Sequence, residues 1–253
     1  MAKLRAALFL LSVAVTARAE WSIRTTDSEP GRAGVLHRHV VLDDSARQEH
    51  AVVDLAIFSA KSCTLHVIDN QRGETLSETM VRQKCLAGVN GGYFDADFAP
   101  IGLLISDGEL LTPLKRARLI TGVLGASPRG VQIFRVREFS RQEKVNAAVQ
   151  CGPFLVDHYE RVRGLDDSNS ARRTFAATAA NDRALVGVCS EISLAELGMI
   201  LATTPLVNGL KIQRALNLDG GSSSAFWVTR ENGSAFSIPE QKPVRDFVGV
   251  VLK

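Results

Sequence analysis

The sequence predicts an α+β fold: a single domain with mixed, largely antiparallel sheets and a few packed helices. Three observations carry this reading. Short β-branched and apolar runs recur along most of the chain, separated by polar turn residues. Two pairs of runs are joined by the tight polar turns Ser106-Asp107-Gly108 and Asn181-Asp182-Arg183, which mark hairpins. Helical signals occur in few places, and neither βα alternation nor an internal repeat runs through the chain.

The elements follow in order. Lys3 and Arg5 precede the apolar residues Ala6–Leu11 and Val13–Val15, and Ala17-Arg18-Ala19 supplies an A-x-A cleavage site. Residues 1–19 therefore read as a secretory signal peptide cleaved after Ala19, too short in its apolar part to span a bilayer. Polar residues 20–34, with Pro30-Gly31, read as an N-terminal arm or edge segment. Strands are expected at Val35-Leu36, Val40–Leu42, Ala51–Phe58 and Cys63–Ile68, then a short helix within 74–86. The hairpin Ile101–Leu111 turns at Asp107-Gly108. Leu119–Leu124, Val131–Val136, Val145–Val149 and Cys151–Val156 continue as strands. Residues 160–173 are polar and read as a surface loop ending in Arg172-Arg173-Thr174. Phe175–Ala180 and Ala184–Val188 form the second hairpin. Ser193 with Glu196 makes a capping box that opens a helix over Leu194–Leu201, with Leu194, Leu197 and Leu201 as its buried stripe. Ala215–Leu218, Ala225–Thr229, Ala235–Ile238 and Phe247–Leu252 complete the strands.

Composition bounds the function. With 253 residues, 45% hydrophobic and 23% charged, the chain can bury a substantial core. Removing residues 1–19 takes away Lys3, Arg5 and Arg18 and no acid, which leaves basic and acidic side chains balanced at 27 each. A nucleic-acid partner loses its electrostatic support. Past the signal peptide no apolar run is long enough for a membrane span, so no stable span is expected in the mature chain. Cys63, Cys85, Cys151 and Cys189 have neither CxxC nor zinc-like spacing. They read as structural: export permits disulfides, and free buried thiols are the alternative. No P-loop or GxGxxG supports nucleotide binding.

Two glycine-rich stretches stand out. Asn217-Leu218-Asp219-Gly220-Gly221-Ser222-Ser223-Ser224 combines a flexible turn, a carboxylate and three hydroxyls, the makings of an anion site as well as of a plain connector. Asn90-Gly91-Gly92-Tyr93-Phe94 marks a second tight turn; Phe98, Ala99 and Pro100 break any calcium-loop pattern begun by Asp95 and Asp97. Gly221–Ala225 approaches a serine-hydrolase elbow but lacks its final glycine, and no histidine follows Ser224. His37, His39, His50 and His66 fall among strands and read as surface or core residues. A glycosidase with two carboxylates is a further possibility whose pair composition alone cannot name.

Asn90–Phe94, the Ile101–Leu111 hairpin, Gly152-Pro153, Arg173-Thr174 and Asn217–Ser223 occur in the order found in the phosphodiester glycosidase family, which the chain resembles from about Val35 to its C-terminus. Many members carry glycine where this chain has Ser222, and a glycine after Arg-Thr where it has Ala176-Ala177. The resemblance implies a phosphodiester glycosidase-like domain over 35–253 and an exported hydrolase, periplasmic or secreted. It would cleave the glycosidic bond of a sugar-1-phosphodiester, on envelope or extracellular polysaccharide, releasing sugar and phosphomonoester. A non-catalytic binder of phosphorylated glycans is the alternative from a different class. Asp219, Asn90, Arg173 and Thr174 are the catalytic candidates this implies. Gly91, Gly92, Tyr93, Gly152, Asn217, Gly220, Gly221, Ser222 and Ser223 are the substrate-binding ones. Arg173 and the glycine amides would hold the phosphate, and Asp219 would act as nucleophile, base or electrostatic stabiliser. No cofactor or metal is implied, with a divalent cation beside Asp219 left as the open alternative.

Overall fold

A computed structural model describes residues 21–139, 144–207 and 209–253; the signal peptide assigned to residues 1–19 lies outside them. The described chain is built from three sheets. The largest has eight strands in the order β1 (Trp21–Pro30), β2 (Leu36–Asp44), β3 (Glu49–Ser59), β14 (Arg183–Ile192), β13 (Ala171–Ala179), β15 (Ile212–Asn217), β11 (Phe154–Asp157) and β12 (Glu160–Arg161). A five-stranded sheet orders β7 (Glu109–Thr112), β6 (Leu104–Ser106), β10 (Ala147–Cys151), β8 (Gly122–Ser127) and β9 (Gly130–Arg135). A second five-stranded sheet orders β17 (Ala235–Ile238), β16 (Phe226–Thr229), β5 (Ala87–Asn90), β18 (Asp246–Leu252) and β4 (Cys63–Asp69).

This corrects the expected fold class. Every ladder among the described strands is antiparallel, so the sheets are not mixed. The described chain has only two α-helices, α1 (Leu76–Arg82) and α2 (Leu194–Thr203), and the fold is mostly β rather than α+β. The physical reason lies in the connections. Antiparallel pairing does not need the crossover helices that parallel pairing does, so even strands far apart in sequence, such as β3 and β14 or β5 and β18, become neighbours without one. The helical signal within 74–86 shrinks to seven residues between the Thr75–Glu78 capping box and the positive φ of Lys84. The Ser193–Glu196 capping box forms as the sequence implies.

The polar residues after position 20 form β1, which pairs along β2 at the edge of the large sheet. Arg172 and Arg173 lie within β13 rather than at the end of a loop. The Asp107-Gly108 turn has positive φ at both residues, as a tight hairpin turn requires.

One core lies among the three sheets and includes Phe58, Leu65, Val89, Leu124, Phe154, Leu216 and Phe226. The opposite face of the large sheet packs on α2 through Leu197, Ile200 and Leu201. Helix α1 covers the outer face of the β5–β18 sheet through Leu76 and Met80, and Gly88 makes room for it: a Cβ there would lie 2.1 Å from the Met80 sulfur. All four cysteines are free and buried. Burial pushes the Cys85 thiol up to about 12 and raises Cys151 and Cys189 as well, so these thiols behave as small core residues. Among the described residues no helix is long and apolar enough to cross a membrane.

Candidate active site

Five strand ends converge on one edge of the molecule. β5 ends at Asn90, β15 at Asn217 and β10 at Cys151, while β13 begins near Arg173 and β18 begins at Asp246. Phe175 pairs with Asn217 and Phe247 with Asn90, so the antiparallel registers bring motifs more than 80 residues apart to one place. The Leu218 N–H donates to the Thr174 carbonyl at 2.8 Å and the Asp219 N–H to the Gly91 carbonyl at 3.0 Å.

Asn90 staples the two glycine-rich turns together. Its side-chain amide donates to the Asp219 carbonyl at 2.7 Å. Its Oδ1 accepts the Thr174 hydroxyl at 2.7 Å and the Ala225 N–H at 3.0 Å. Asn90 and Thr174 are both buried. A second trio stands beside it: the Tyr93 hydroxyl donates to the Gly152 carbonyl at 2.7 Å, and Asn217 Nδ2 donates to the same carbonyl at 3.0 Å and to the Tyr93 oxygen at 3.1 Å. Burial raises the Tyr93 hydroxyl, which stays protonated. Gly152 must be glycine, because a Cβ would lie 2.3 Å from the Leu119 carbonyl oxygen.

Asp219 is half-buried. Desolvation lifts its carboxyl above the usual aspartate range, while the Ser223 hydroxyl, the Lys242 charge and the Gly220 N–H, which donates to Oδ1 at 3.0 Å, oppose the rise. The Ser223 hydroxyl is buried without a partner at hydrogen-bond distance, so its influence on Asp219 is weaker than a formed bond. The Gly91 and Gly92 amides are already engaged, donating to the Asp246 carbonyl at 2.9 Å and to Asp246 Oδ1 at 2.8 Å. The Gly221 and Ser222 amides have no protein acceptor among the described residues, and Gly221, at positive φ, has open space where a Cβ would stand.

The two arginines divide their work. Arg172 donates to the Ser224 carbonyl and, at 3.1 Å, to the Pro239 carbonyl, and so ties the turn to the following strands. Arg173 donates through Nε to the Ile192 carbonyl at 2.9 Å and through one terminal nitrogen to Asn169. Its other nitrogen, Nη1, has no acceptor among the described residues and lies 3.9 Å from where a Gly220 Cβ would stand. Half-burial lowers the Arg173 pKa, with the Asp166 carboxylate opposing. It stays cationic.

Two residues were not legible as site members in the sequence. The Gln241 N–H donates to the Ser222 carbonyl at 2.8 Å, which lays residues 239–243 beside the turn. Lys242 then sits with Nζ 5.1 Å from the Phe94 ring centroid, its charge felt by Asp219. Asp246 is fully buried behind Gly91 and Gly92. A charge directly before the apolar run 247–252 was its only sequence signal. The histidines bond elsewhere: His37 and His39 to Asp54, His50 to Asp43, and His158 to Arg214. None reaches Ser222, Ser223 or Ser224, so the serine-hydrolase arrangement is absent from the described residues. Among them, too, no group of three or more His, Cys, Asp or Glu side chains is placed to hold a metal ion. A polar concavity of about 820 Å³ opens at the opposite end of β13 and β15, and none of the motif residues lines it.

The model of the phosphodiester glycosidase family matches residues 83–251, which spans both glycine-rich turns, Arg173 and Asp246. The fold is similar to the catalytic domain of zebrafish N-acetylglucosamine-1-phosphodiester alpha-N-acetylglucosaminidase, auto-inhibited by its pro-peptide. The two share 16% identity over 89% of this chain and 87% of that one, with a TM-score of 0.62. A hypothetical protein from Synechocystis matches with a TM-score of 0.63 and 14% identity, over 87% of this chain and 62% of that one. No curated protein sequence matches the chain.

Proposed function

Because the chain belongs to the phosphodiester glycosidase family, we propose that it hydrolyses the glycosidic bond of a sugar-1-phosphodiester. The family makes it a glycosidase-type hydrolase; the substrate class and the residue roles are our reading. In the proposed reaction the bond between the anomeric carbon and the phosphate oxygen breaks. The oxygen leaves with its electron pair on the phosphomonoester, and water supplies the hydroxyl that replaces it on the sugar. A phosphate is already a good leaving group, so strong acid assistance is dispensable. The site has two tasks: to bind the phosphate, and to stabilise the oxocarbenium-like charge at the anomeric carbon.

The observation that carries this reading is one half-buried carboxylate, Asp219, which feels the Lys242 charge and stands on a turn whose next residue, Gly220, lies beside Arg173 Nη1, on an edge built from both motifs. Arg173, already oriented through Ile192 and Asn169, has Nη1 left to meet a phosphate oxygen beside Gly220, with the Gly221 and Ser222 amides next along the same turn. Asp219 faces the developing positive charge. Its lifted pKa suits a group that accepts a proton nearer neutrality than an exposed aspartate does. Asn90 and Thr174 are spent on each other and on the Asp219 carbonyl, so their contribution is to hold that carboxylate in place. The reaction as proposed draws on these side chains alone. We place it outside the cytoplasm, on envelope or extracellular polysaccharide, on the strength of the signal peptide read in residues 1–19.

Turnover of a sugar-1-phosphodiester by Asp219→Asn and Arg173→Ala tests the assignment. The first is expected to lower kcat by about 10²–10³-fold, the scale of losing one preorganised electrostatic group. The second is expected to act mainly on KM, through the loss of a charge-assisted phosphate contact. Near-wild-type turnover in both variants, with the fold intact, would remove the proposal. N-terminal sequencing of the mature protein should begin at Glu20, and a retained Met1 would end the export assignment.

A further inference from the structure

Asp246 is the least expected charge in the molecule. It is 1% exposed, at the first position of β18, where its backbone carbonyl accepts the Gly91 N–H at 2.9 Å and extends the β5–β18 ladder one step past Asn90. Its Oδ1 accepts the Gly92 N–H at 2.8 Å. Its Oδ2 is buried and has no hydrogen-bond partner among the described residues. The fit around Oδ1 is tight: a Cβ on Gly91 would lie 1.9 Å from it. The same glycine that Asp246 grips passes its own carbonyl to the Asp219 N–H at 3.0 Å. Asp246, the Gly91–Gly92 turn and the Asp219 main chain therefore form one hydrogen-bonded stack, with a carboxyl group at each end.

We propose that Asp246 is a positioning residue of this site and works as the neutral carboxylic acid, holding the Gly91–Gly92 turn on which the Asp219 main chain rests. The activity half of this inference rests on the proposed function; the protonation half does not.

The surroundings favour the neutral form. A buried carboxylate whose second oxygen lacks a donor is poorly solvated, and a proton on Oδ2 removes that cost. The groups that face Asp246 divide by sign. From the residue just before the strand, Arg245 favours ionisation, but this guanidinium is already paired with Asp69 on β4. Asp69 and Asp219 both disfavour it, and the Cys151 thiol at the end of β10 lies close enough to feel it. Desolvation dominates, opposed chiefly by the Gly92 N–H, and the carboxyl is pushed up to about 7. Ionisation of Asp246 would set a second negative charge one turn behind Asp219, which would weaken the carboxylate's ability to carry charge and strain the stack between them. Activity should then decline as pH rises through neutrality.

The test compares Asp246→Asn with Asp246→Ala and follows the Gly92 amide by ¹⁵N NMR. Asparagine keeps a neutral acceptor for the Gly92 N–H and cannot ionise. Asp246→Asn is expected to retain kcat within about threefold at pH 6 and to lose the alkaline decline. Asp246→Ala, judged folded by circular dichroism, is expected to lose about 10–10²-fold in kcat through misplacement of Asp219. The Gly92 amide shift should titrate in the wild-type protein with a midpoint near 7 and stay flat in Asp246→Asn. This shift is read without substrate, so it decides the state of Asp246 even if no sugar-1-phosphodiester is turned over. A Gly92 shift that is flat from pH 5 to 9 in the wild type, or an Asp246→Asn variant as impaired as Asp246→Ala, would overturn the inference.

Discussion

The two glycine-rich turns look alike in sequence and do opposite work. At Gly91-Gly92 both amides are satisfied from within, by the carbonyl and carboxyl of Asp246, and every approach is blocked: a Cβ on Gly91 would meet Asp246, and one on Gly92 would lie 2.9 Å from Val149. At Gly220-Gly221 the Gly220 amide turns back on Asp219, but Gly221 faces open space, with no atom within 4 Å of where its Cβ would be. One turn is a buried frame and the other is a working surface. Glycine is required in the first because another group occupies the space a side chain would need. In the second, Gly221 is required because the backbone must adopt φ +63°, although its neighbour Gly220 is held to glycine by the Arg172 carbonyl, 2.9 Å from where its Cβ would lie. A Gly-Gly pair alone does not separate these cases. The identity of the amides' acceptors does.

The sharpest way to break that comparison is to add one methyl group to each turn. Gly91→Ala forces a carbon against a bonded, buried carboxyl and should cost at least about 3 kcal/mol, overpacking combined with a disrupted buried hydrogen bond. Gly221→Ala meets no neighbour and should cost only the left-handed backbone term, about 1–2 kcal/mol, with its larger effect on KM. Urea unfolding of both variants measures the difference. Equal losses would show that the first turn is not the rigid one.

A second test uses pH. Asp246 has a folded pKa raised to about 7, against about 3.9 for an unfolded aspartate. The folded state therefore holds a proton that the unfolded chain has already lost. Its contribution to stability is fully present below about pH 4, declines by up to about 1.4 kcal/mol per pH unit as pH rises toward 7, and is flat above that. Asp246→Asn removes that slope. The Tm of the variant should exceed that of the wild type by more at pH 8 than at pH 4. A constant difference across that range would mean that Asp246 ionises in the fold as readily as in the unfolded chain.

The same contrast explains how much of the molecule was legible in the sequence. Hairpins and the α2 capping box could be read because their signals are local: turn residues beside alternating runs, and Ser193 three residues before Glu196. The balance of helix and strand was overestimated because the signal within 74–86 gave no hint that Lys84 would end the helix so early. The two site motifs were legible as candidates, since paired glycines beside Asn, Asp and Ser are rare outside turns. Their partners were not. Asp246 and Lys242 join the site through the last strand and the segment before it, by register with β5 and by one bond from Gln241 to Ser222. Nothing in the local sequence encodes those contacts. Arg172 and Arg173 were equally visible as a pair, yet only strand alternation decides which one is stapled to Ser224 and which keeps a free nitrogen.

The smallest expected effect concerns the working turn alone. Lys242 is exposed and held over the Phe94 ring, and its charge is one of the influences that keep Asp219 from rising further. Lys242→Met preserves the apolar stem over Phe94 and removes only the charge. An exposed pair of this kind is worth about 0.2–1 kcal/mol, which corresponds to about 0.2–0.7 pH unit. The acid limb of kcat/KM should therefore move to higher pH by that amount, because Asp219 becomes easier to protonate. High salt should shift the wild-type profile in the same direction and leave the variant nearly unmoved, since a screened charge acts like a missing one. Gly91→Ala should not reproduce this pattern, because it disturbs the frame without touching the charge. A Lys242→Met profile that coincides with the wild type at low salt would mean that Asp219 does not feel the Lys242 charge.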